Sequence, residues 1–230
     1  MITKIIAKLI PDRLKKILRN FSILAFDYGQ LKTIKSGCCI DKNNQKIPWY
    51  TYPAVEYLQS LDLTGRSVLE YGCGNSSFFW SRKAGKVVSV EHDRVWYEKI
   101  LPTLESNMQL IFSADGPGYE NPAEISGKKF DVIIIDANRR PECAHVVDRY
   151  LDQQHPEGFM IILDNSDWFK NTADYLRQKF DMIQVDFHGF GPINNHTWTT
   201  SVLFSRNFRT KPAELHLPAF SIASLRDNCD

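Results

Sequence analysis

The chain has 230 residues, of which 43% are hydrophobic and 24% charged, and its net charge is +1. This suits one α/β domain with added segments and excludes a strongly basic nucleic-acid binder, so no nucleic-acid partner is expected. Five scattered cysteines, at positions 38, 39, 73, 143 and 229, form no CxxC pair, so neither a disulfide framework nor a zinc knuckle is indicated and a cytoplasmic setting is expected.

Residues 1–21 read as a basic amphipathic helix broken at Pro11. Ile5, Ile6, Leu9 and Ile10 share one face, and Leu14, Ile17, Leu18 and Phe21 continue it. Lys4, Lys8, Arg13, Lys15, Lys16 and Arg19 supply the charge against one acid, Asp12. Two readings stand: a helical cap packed on the domain, or a helix that makes peripheral contact with a membrane or a partner. Lys8 and Pro11 interrupt the apolar stretch too early for a secretory signal. Residues 22–48, with Gly29, Gly37 and the polar run 41–46, read as an irregular connector or hairpin. A helical pattern through Ala54, Val55, Tyr57, Leu58 and Leu61 follows, with Pro53 in its first turn. The organisation expected is an extension over 1–48, a domain over 49–206 and a tail over 207–230.

From residue 67 strands and helices alternate. Strands are predicted at 67–71, 86–91, 108–113, 130–136, 158–164, 182–187 and 199–205, with helices at 78–84, 94–105, 143–151 and 171–179. Repeated βα units with apolar strands imply a doubly wound, mostly parallel Rossmann-like sheet covered on both faces. The last two strands lack a helix between them and so form an antiparallel pair at one edge. The longest apolar runs, such as 132–135, are far below the roughly 20 residues that a membrane-crossing helix needs.

The central motif is Ser67-Val68-Leu69-Glu70-Tyr71-Gly72-Cys73-Gly74-Asn75-Ser76-Ser77. An apolar strand ends in an acid, and a GxG turn then opens a helix, which is how backbone N–H groups come close to a nucleotide. A dinucleotide fingerprint wants a third glycine, and Ser77 stands there instead. Glu70 is a poor neighbour for a pyrophosphate and a good one for a cofactor carrying ammonium and sulfonium charges. The next strand ends in Glu91, where an acid can accept both ribose hydroxyls. The strand after it leads to Asp115, placed to meet an adenine amino group.

This set resembles the class I S-adenosylmethionine (SAM) dependent methyltransferases over roughly residues 50–205. The resemblance implies a seven-stranded sheet with an antiparallel last strand. It also implies that Glu70, Gly72 and Gly74 hold the methionine part of SAM, Glu91 the ribose and Asp115 the adenine edge, with His92 beside the adenine face. Cys73 and Asn75 complete the turn, and Asn75 can also act as a helix cap.

Two further strands end in polar clusters, Asp136-Ala137-Asn138-Arg139-Arg140 and Asp164-Asn165-Ser166. They are similar to the catechol-type O-methyltransferases, and by that resemblance Asp136, Asp164 and Asn165 would be Mg²⁺ ligands. Arg139 and Arg140 depart from that pattern and suit an anionic acceptor instead. Alternatively Asp136 or Asp164 orients or deprotonates the acceptor directly. His188 and His196, in the loop between the last two strands, are further candidate bases. Tyr50, Thr51 and Trp198 are candidate acceptor-side residues. No Asn/Asp-Pro-Pro-Tyr motif of amino-group methylation is present, so a small or medium-sized oxygen acceptor is expected. The alternatives are a non-catalytic binding module and, more remotely, a NAD-linked oxidoreductase.

Overall fold

A computed structural model describes residues 11–213, 219 and 221–224. The first ten residues of the expected amphipathic helix, with Ile5, Ile6, Leu9 and Ile10, lie outside the described residues, as does most of the tail beyond 213.

Seven strands form the central sheet: β1 (Leu61–Tyr71), β2 (Ala84–Glu91), β3 (Met108–Phe112), β4 (Val132–Ile135), β5 (Met160–Asp164), β6 (Ile183–Gly189) and β7 (Trp198–Phe204). Their order is β3-β2-β1-β4-β5-β7-β6. The first five run parallel, and β7 is antiparallel to both β5 and β6, as the helix-free connection before it requires. A short β8 (Lys211–Pro212) pairs with the start of β1.

Side chains alternate across the pleat, so each strand feeds two cores. Leu69, Tyr71, Ile133, Ile135, Ile161 and Leu163 pack under α6 (Arg140–Tyr150) and α7 (Lys170–Lys179) through Cys143, Val147, Ala173 and Leu176. Val68, Val132, Ile134, Met160 and Ile162 pack on the other face. They meet α3 (Tyr52–Ser60) through Ala54, Val55 and Leu58, and α4 (Asn75–Ser81) through Phe79 and Trp80. Covering both faces is why strands such as Val132–Ile135 are apolar at every position. The helix α5 (Arg94–Ile100) follows β2. Strand order reverses between β1 and β4, and ligands of such sheets bind at the carboxyl ends flanking that point.

The segment before the domain starts with a helix where one was expected, and residues 22–48, expected as an irregular connector or hairpin, hold helical turns as well as a hairpin. It comprises α1 (Asp12–Ser22), a widened π turn (Ile23–Asp27) and α2 (Gln30–Ser36). Gly29 and Gly37, which read as loop signals, instead flank α2 with left-handed φ of 80° and 66°. The polar run closes a small hairpin through the Ile40–Lys46 bridge. Leu24 and Tyr28 anchor this segment on the second core, while α1 itself buries no residue, so it is not a cap packed through its apolar face. Among the described residues no helix is long and apolar enough to cross a membrane, and Cys38, Cys39, Cys73 and Cys143 are free thiols.

Candidate active site

The turn after β1 is built around two glycines with different reasons for being glycine. Gly72 has φ +101°, and a Cβ there would lie 2.5 Å from the Asp136 carbonyl oxygen, so it lets the ends of β1 and β4 abut. Gly74 is extended, and a Cβ on it would meet nothing within 4 Å. Nothing among the described residues demands glycine at that position. Glu70 is buried and accepts from the Ser77 hydroxyl and, at 2.8 Å, from Ser89. Ser77 Oγ accepts the Gly74 N–H at 3.2 Å, so the carboxylate ties the turn to the first turn of α4. Burial pushes the Glu70 carboxyl up to about 7, against the pull of its hydroxyl donors.

Glu91, at the end of β2, is also buried. Its Oε1 accepts the His92 and Asp93 N–H groups at 2.8 and 2.7 Å, and its Oε2 accepts the Cys73 N–H at 3.1 Å. A carboxylate offers about four acceptor positions, so room remains for about one further donor. The His92 ring Nδ1 also lies 3.1 Å from Oε1, so Oε2, with one donor, is the oxygen with room for another. His92 lies 2.9 Å from the Asn138 amide and edge-on to Tyr119. The Tyr119 hydroxyl donates to the Val90 carbonyl and accepts the Gly72 N–H.

Three cavities adjoin along this rim, and Asp136 lines all of them. The first is bordered by Glu70, Gly72, Cys73, Glu91, His92 and Asn138. The second, about 270 Å³, is bordered by Cys38, Cys39, Trp49, Gly74, Asn75 and Trp96. The third, about 350 Å³, is bordered by Trp49, Arg140, Asp164, Asn165, Trp168, Asn194, His196 and Trp198. The Asn75 amide donates to the Cys39 carbonyl at 2.7 Å, which brings the N-terminal segment against the turn. The Trp96 indole donates to the Cys73 carbonyl at 2.9 Å. Neither Trp96 nor the Cys38–Cys39 wall is marked in the sequence, because Trp96 sits on the helix beyond the β2 acid and the cysteines lie in the segment before the domain.

Arg140 organises the acidic end. Its Nη2 donates to Asp136 Oδ1 at 2.5 Å and to Asn165 Oδ1 at 2.8 Å, its Nε to the Asp164 carbonyl and its Nη1 to the Ala137 carbonyl. Asp164 Oδ1 accepts from the Trp198 indole at 3.1 Å and from the Thr200 hydroxyl at 2.6 Å. The residues expected to ligate Mg²⁺ are thus engaged with a guanidinium and two neutral donors. Among the described residues no cluster of histidine, cysteine and carboxylate side chains suits a metal ion. A guanidinium seated on Asp136 and Asn165 leaves no donor set for the expected Mg²⁺. The expected anion clamp changes too, since four bonds use most of the five N–H donors of Arg140. Burial, then the neighbouring Asp136, pushes Asp164 up to about 8; burial also raises Asp136, and Arg140 opposes it. The guanidinium on Asp136 favours its charged form, so of the two carboxyls Asp164 is the one more readily protonated.

Several expected residues lie apart. His188 bonds Thr199 and lines a separate hollow with Asp167, Lys170 and Asp186, beyond the far side of β7. The Thr51 hydroxyl is buried on the Phe187 carbonyl. Arg139 turns to Glu142 and Glu120. Asp115 is exposed and lines none of the three cavities. Tyr50 is fully buried, and burial raises its phenol well above the ordinary value, with Glu70, Asp136 and Asp164 adding to the rise.

No protein-family model matches the chain, and no curated protein matches it in sequence. Some solved structures are similar. A methyltransferase from Pyrococcus furiosus is 19% identical, over 85% of this chain and 98% of its own, with a TM-score of 0.44. An rRNA methylase from Streptococcus thermophilus is 13% identical, over 68% of this chain and 97% of its own, with a TM-score of 0.46. The N-methyltransferase NodS from Bradyrhizobium japonicum is 9% identical, over 65% of this chain and 92% of its own, with a TM-score of 0.47.

Proposed function

We propose that this chain is a SAM-dependent methyltransferase acting on an oxygen of a small or medium-sized acceptor. One observation carries the reading. Glu70, Gly72, Glu91, His92 and Asp136, from the ends of β1, β2 and β4, line one cavity beside Gly74, a glycine whose open Cβ position the chain itself does not explain. The residues fit the cofactor: carboxylates face its cationic end, Glu91 retains capacity for one hydroxyl, and Trp96 and Cys73 offer an apolar wall. SAM, when bound, supplies a sulfonium methyl ready for displacement.

The chain's own work is alignment and proton removal. Trp49 lines both the second and third cavities and would border cofactor and acceptor alike. The third cavity, with Trp49, Trp168 and Trp198 around it, suits a compact acceptor with an apolar body. Asp164 would take the acceptor's proton at Oδ2, which has no hydrogen-bond partner among the described residues. A carboxyl raised to about 8 is a stronger base than an ordinary aspartate, and is tuned close to working pH. Asp136, held by Arg140, would keep its charge near the transferring methyl. His196 borders the same cavity and would contact the acceptor's far end. A neutral hydroxyl compound fits better than an anion, given how fully Arg140 is engaged. The chain would act in the cytoplasm, on a small molecule rather than a nucleic acid.

Calorimetry with SAM, S-adenosylhomocysteine and NAD tests the reading. Binding of both adenosyl ligands without NAD is expected. NAD alone would point to an oxidoreductase, and no binding of any of the three to a non-catalytic module.

A further inference from the structure

Phe21 and Phe26 are 74% and 61% exposed, and Leu14, Ile17, Leu18 and Ile34 lie between 44% and 60%. Singly exposed apolar residues are ordinary, but these come from α1, the π turn and α2, three successive short elements. The spacing 14, 17, 18 and 21 puts four of them on one stripe of α1. The other sides of that helix carry exposed Arg13, Lys15, Lys16 and Arg19. Residues 11–36 hold six basic side chains against two acidic ones, a net +4, whereas the whole chain is +1. Both acids are engaged, Asp12 with Lys15 at 2.9 Å and Asp27 with Arg19 at 3.6 Å.

We propose that this N-terminal face docks on an anionic membrane surface, with α1 lying in the plane of the interface. Charge decides the occupant. A second copy would press one +4 face against another, while anionic headgroups neutralise the lysines and arginines as the phenylalanines enter the acyl boundary. At 11 residues α1 is far too short to span a bilayer, but long enough to lie on one. The ten preceding residues add Lys4 and Lys8 and no acid. The face also adjoins the cleft: α2 leads directly to Cys38 and Cys39 on the wall of the second cavity, and Gln30 donates to the Gly191 carbonyl in the β6–β7 loop. This inference does not depend on which cofactor the cleft takes.

Flotation of the full chain with vesicles tests it, using phosphatidylcholine alone or mixed with phosphatidylglycerol. Binding to the anionic vesicles should exceed binding to the neutral ones by about tenfold and fall as salt is raised. Phe21→Ser with Phe26→Ser should weaken it by about tenfold or more, the fold-change that corresponds to burying an apolar side chain. Arg13→Glu with Lys16→Glu should remove the preference for anionic lipid. All four side chains are exposed, so thermal melts should not move. Three results would overturn the proposal: no flotation with either vesicle, flotation indifferent to the phenylalanine changes, or a dimer in sedimentation that those changes dissociate without any vesicle binding. Flotation seen only after removal of residues 214–230 would also overturn it for the intact chain, by showing that its own tail covers the face.

Discussion

Arg140, the first residue of α6, pairs at 2.5 Å with Asp136 just beyond the end of β4, and the same nitrogen reaches Asn165 Oδ1 at 2.8 Å. A permanent cation therefore sits among the oxygens that a divalent metal would need, fixed by two carbonyls behind it. Guanidinium does not deprotonate at accessible pH, so the arrangement is indifferent to metal supply. Methyl transfer should proceed unchanged in excess chelator, measured as product formed per enzyme. A loss of turnover that added Mg²⁺ restores would disprove this. Arg140→Met should destabilise the fold by about 3 kcal/mol in urea titration, because it strands a largely buried Asp136 beside Asp164.

The two glycines of the turn should separate folding from binding. Gly72→Ala meets both a positive φ and the Asp136 carbonyl, so it should lower the melting temperature markedly. Gly74→Ala adds a methyl into open space on extended backbone, so the melt should stay put. That methyl would occupy the cavity, and S-adenosylhomocysteine affinity should drop by about tenfold or more in calorimetry. Undiminished affinity in a folded Gly74→Ala protein would remove the ligand-based reason for glycine at that position.

Glu91→Gln is a near-isosteric probe of the ribose position. The amide oxygen can still accept from His92 and Asp93, but the amide nitrogen now faces the Cys73 N–H, donor against donor. Affinity for S-adenosylhomocysteine should fall by about tenfold, from one lost acceptor and a disturbed turn. Unchanged affinity would show that Glu91 only shapes the loop.

Much of the fold was legible in the sequence because strands buried on both faces write themselves as apolar runs. Each of the seven predicted strands exists, with ends displaced by a few residues, and β1 is longer because its first half pairs with β8 and β2 only loosely. Strand-terminal acids pointed to the rim because a carboxylate closing an apolar run needs donors, and the turn N–H groups and hydroxyls at the strand ends supply them. What stayed hidden depends on side-chain direction. His188 alternates to the far face of β6, while His196, in the loop beyond, turns into the cleft. Residues 30–36 looked like a loop because glycine flanks them on both sides, and those glycines proved to be helix ends. Arg140 could be read as substrate clamp or surface charge; only the carbonyls of residues 137 and 164 converging on it show a third role.

Asp164 and Glu70 give the chain an unusual dependence on pH. Ordinary aspartate and glutamate titrate near 3.9 and 4.3 in an unfolded chain. Burial lifts Asp164 to about 8 and Glu70 to about 7 in the folded one. Between those limits the native state holds more protons than the unfolded state, so its stability falls as pH rises from about 4 to about 8 and then levels. Each group contributes a slope of at most about 1.4 kcal/mol per pH unit. Asp164→Asn removes one such titration while its amide oxygen can still accept from Trp198 and Thr200. The variant should melt higher than wild type at pH 8, with little difference at pH 4. If Asp164 is the base, the same change should lower methyl transfer by about 10² to 10⁴ without weakening S-adenosylhomocysteine binding. An Asp164→Asn protein with full turnover would move that role elsewhere, first to His196. One whose melting curve shifts with pH as wild type does would show that this carboxyl is already ionised in the folded chain.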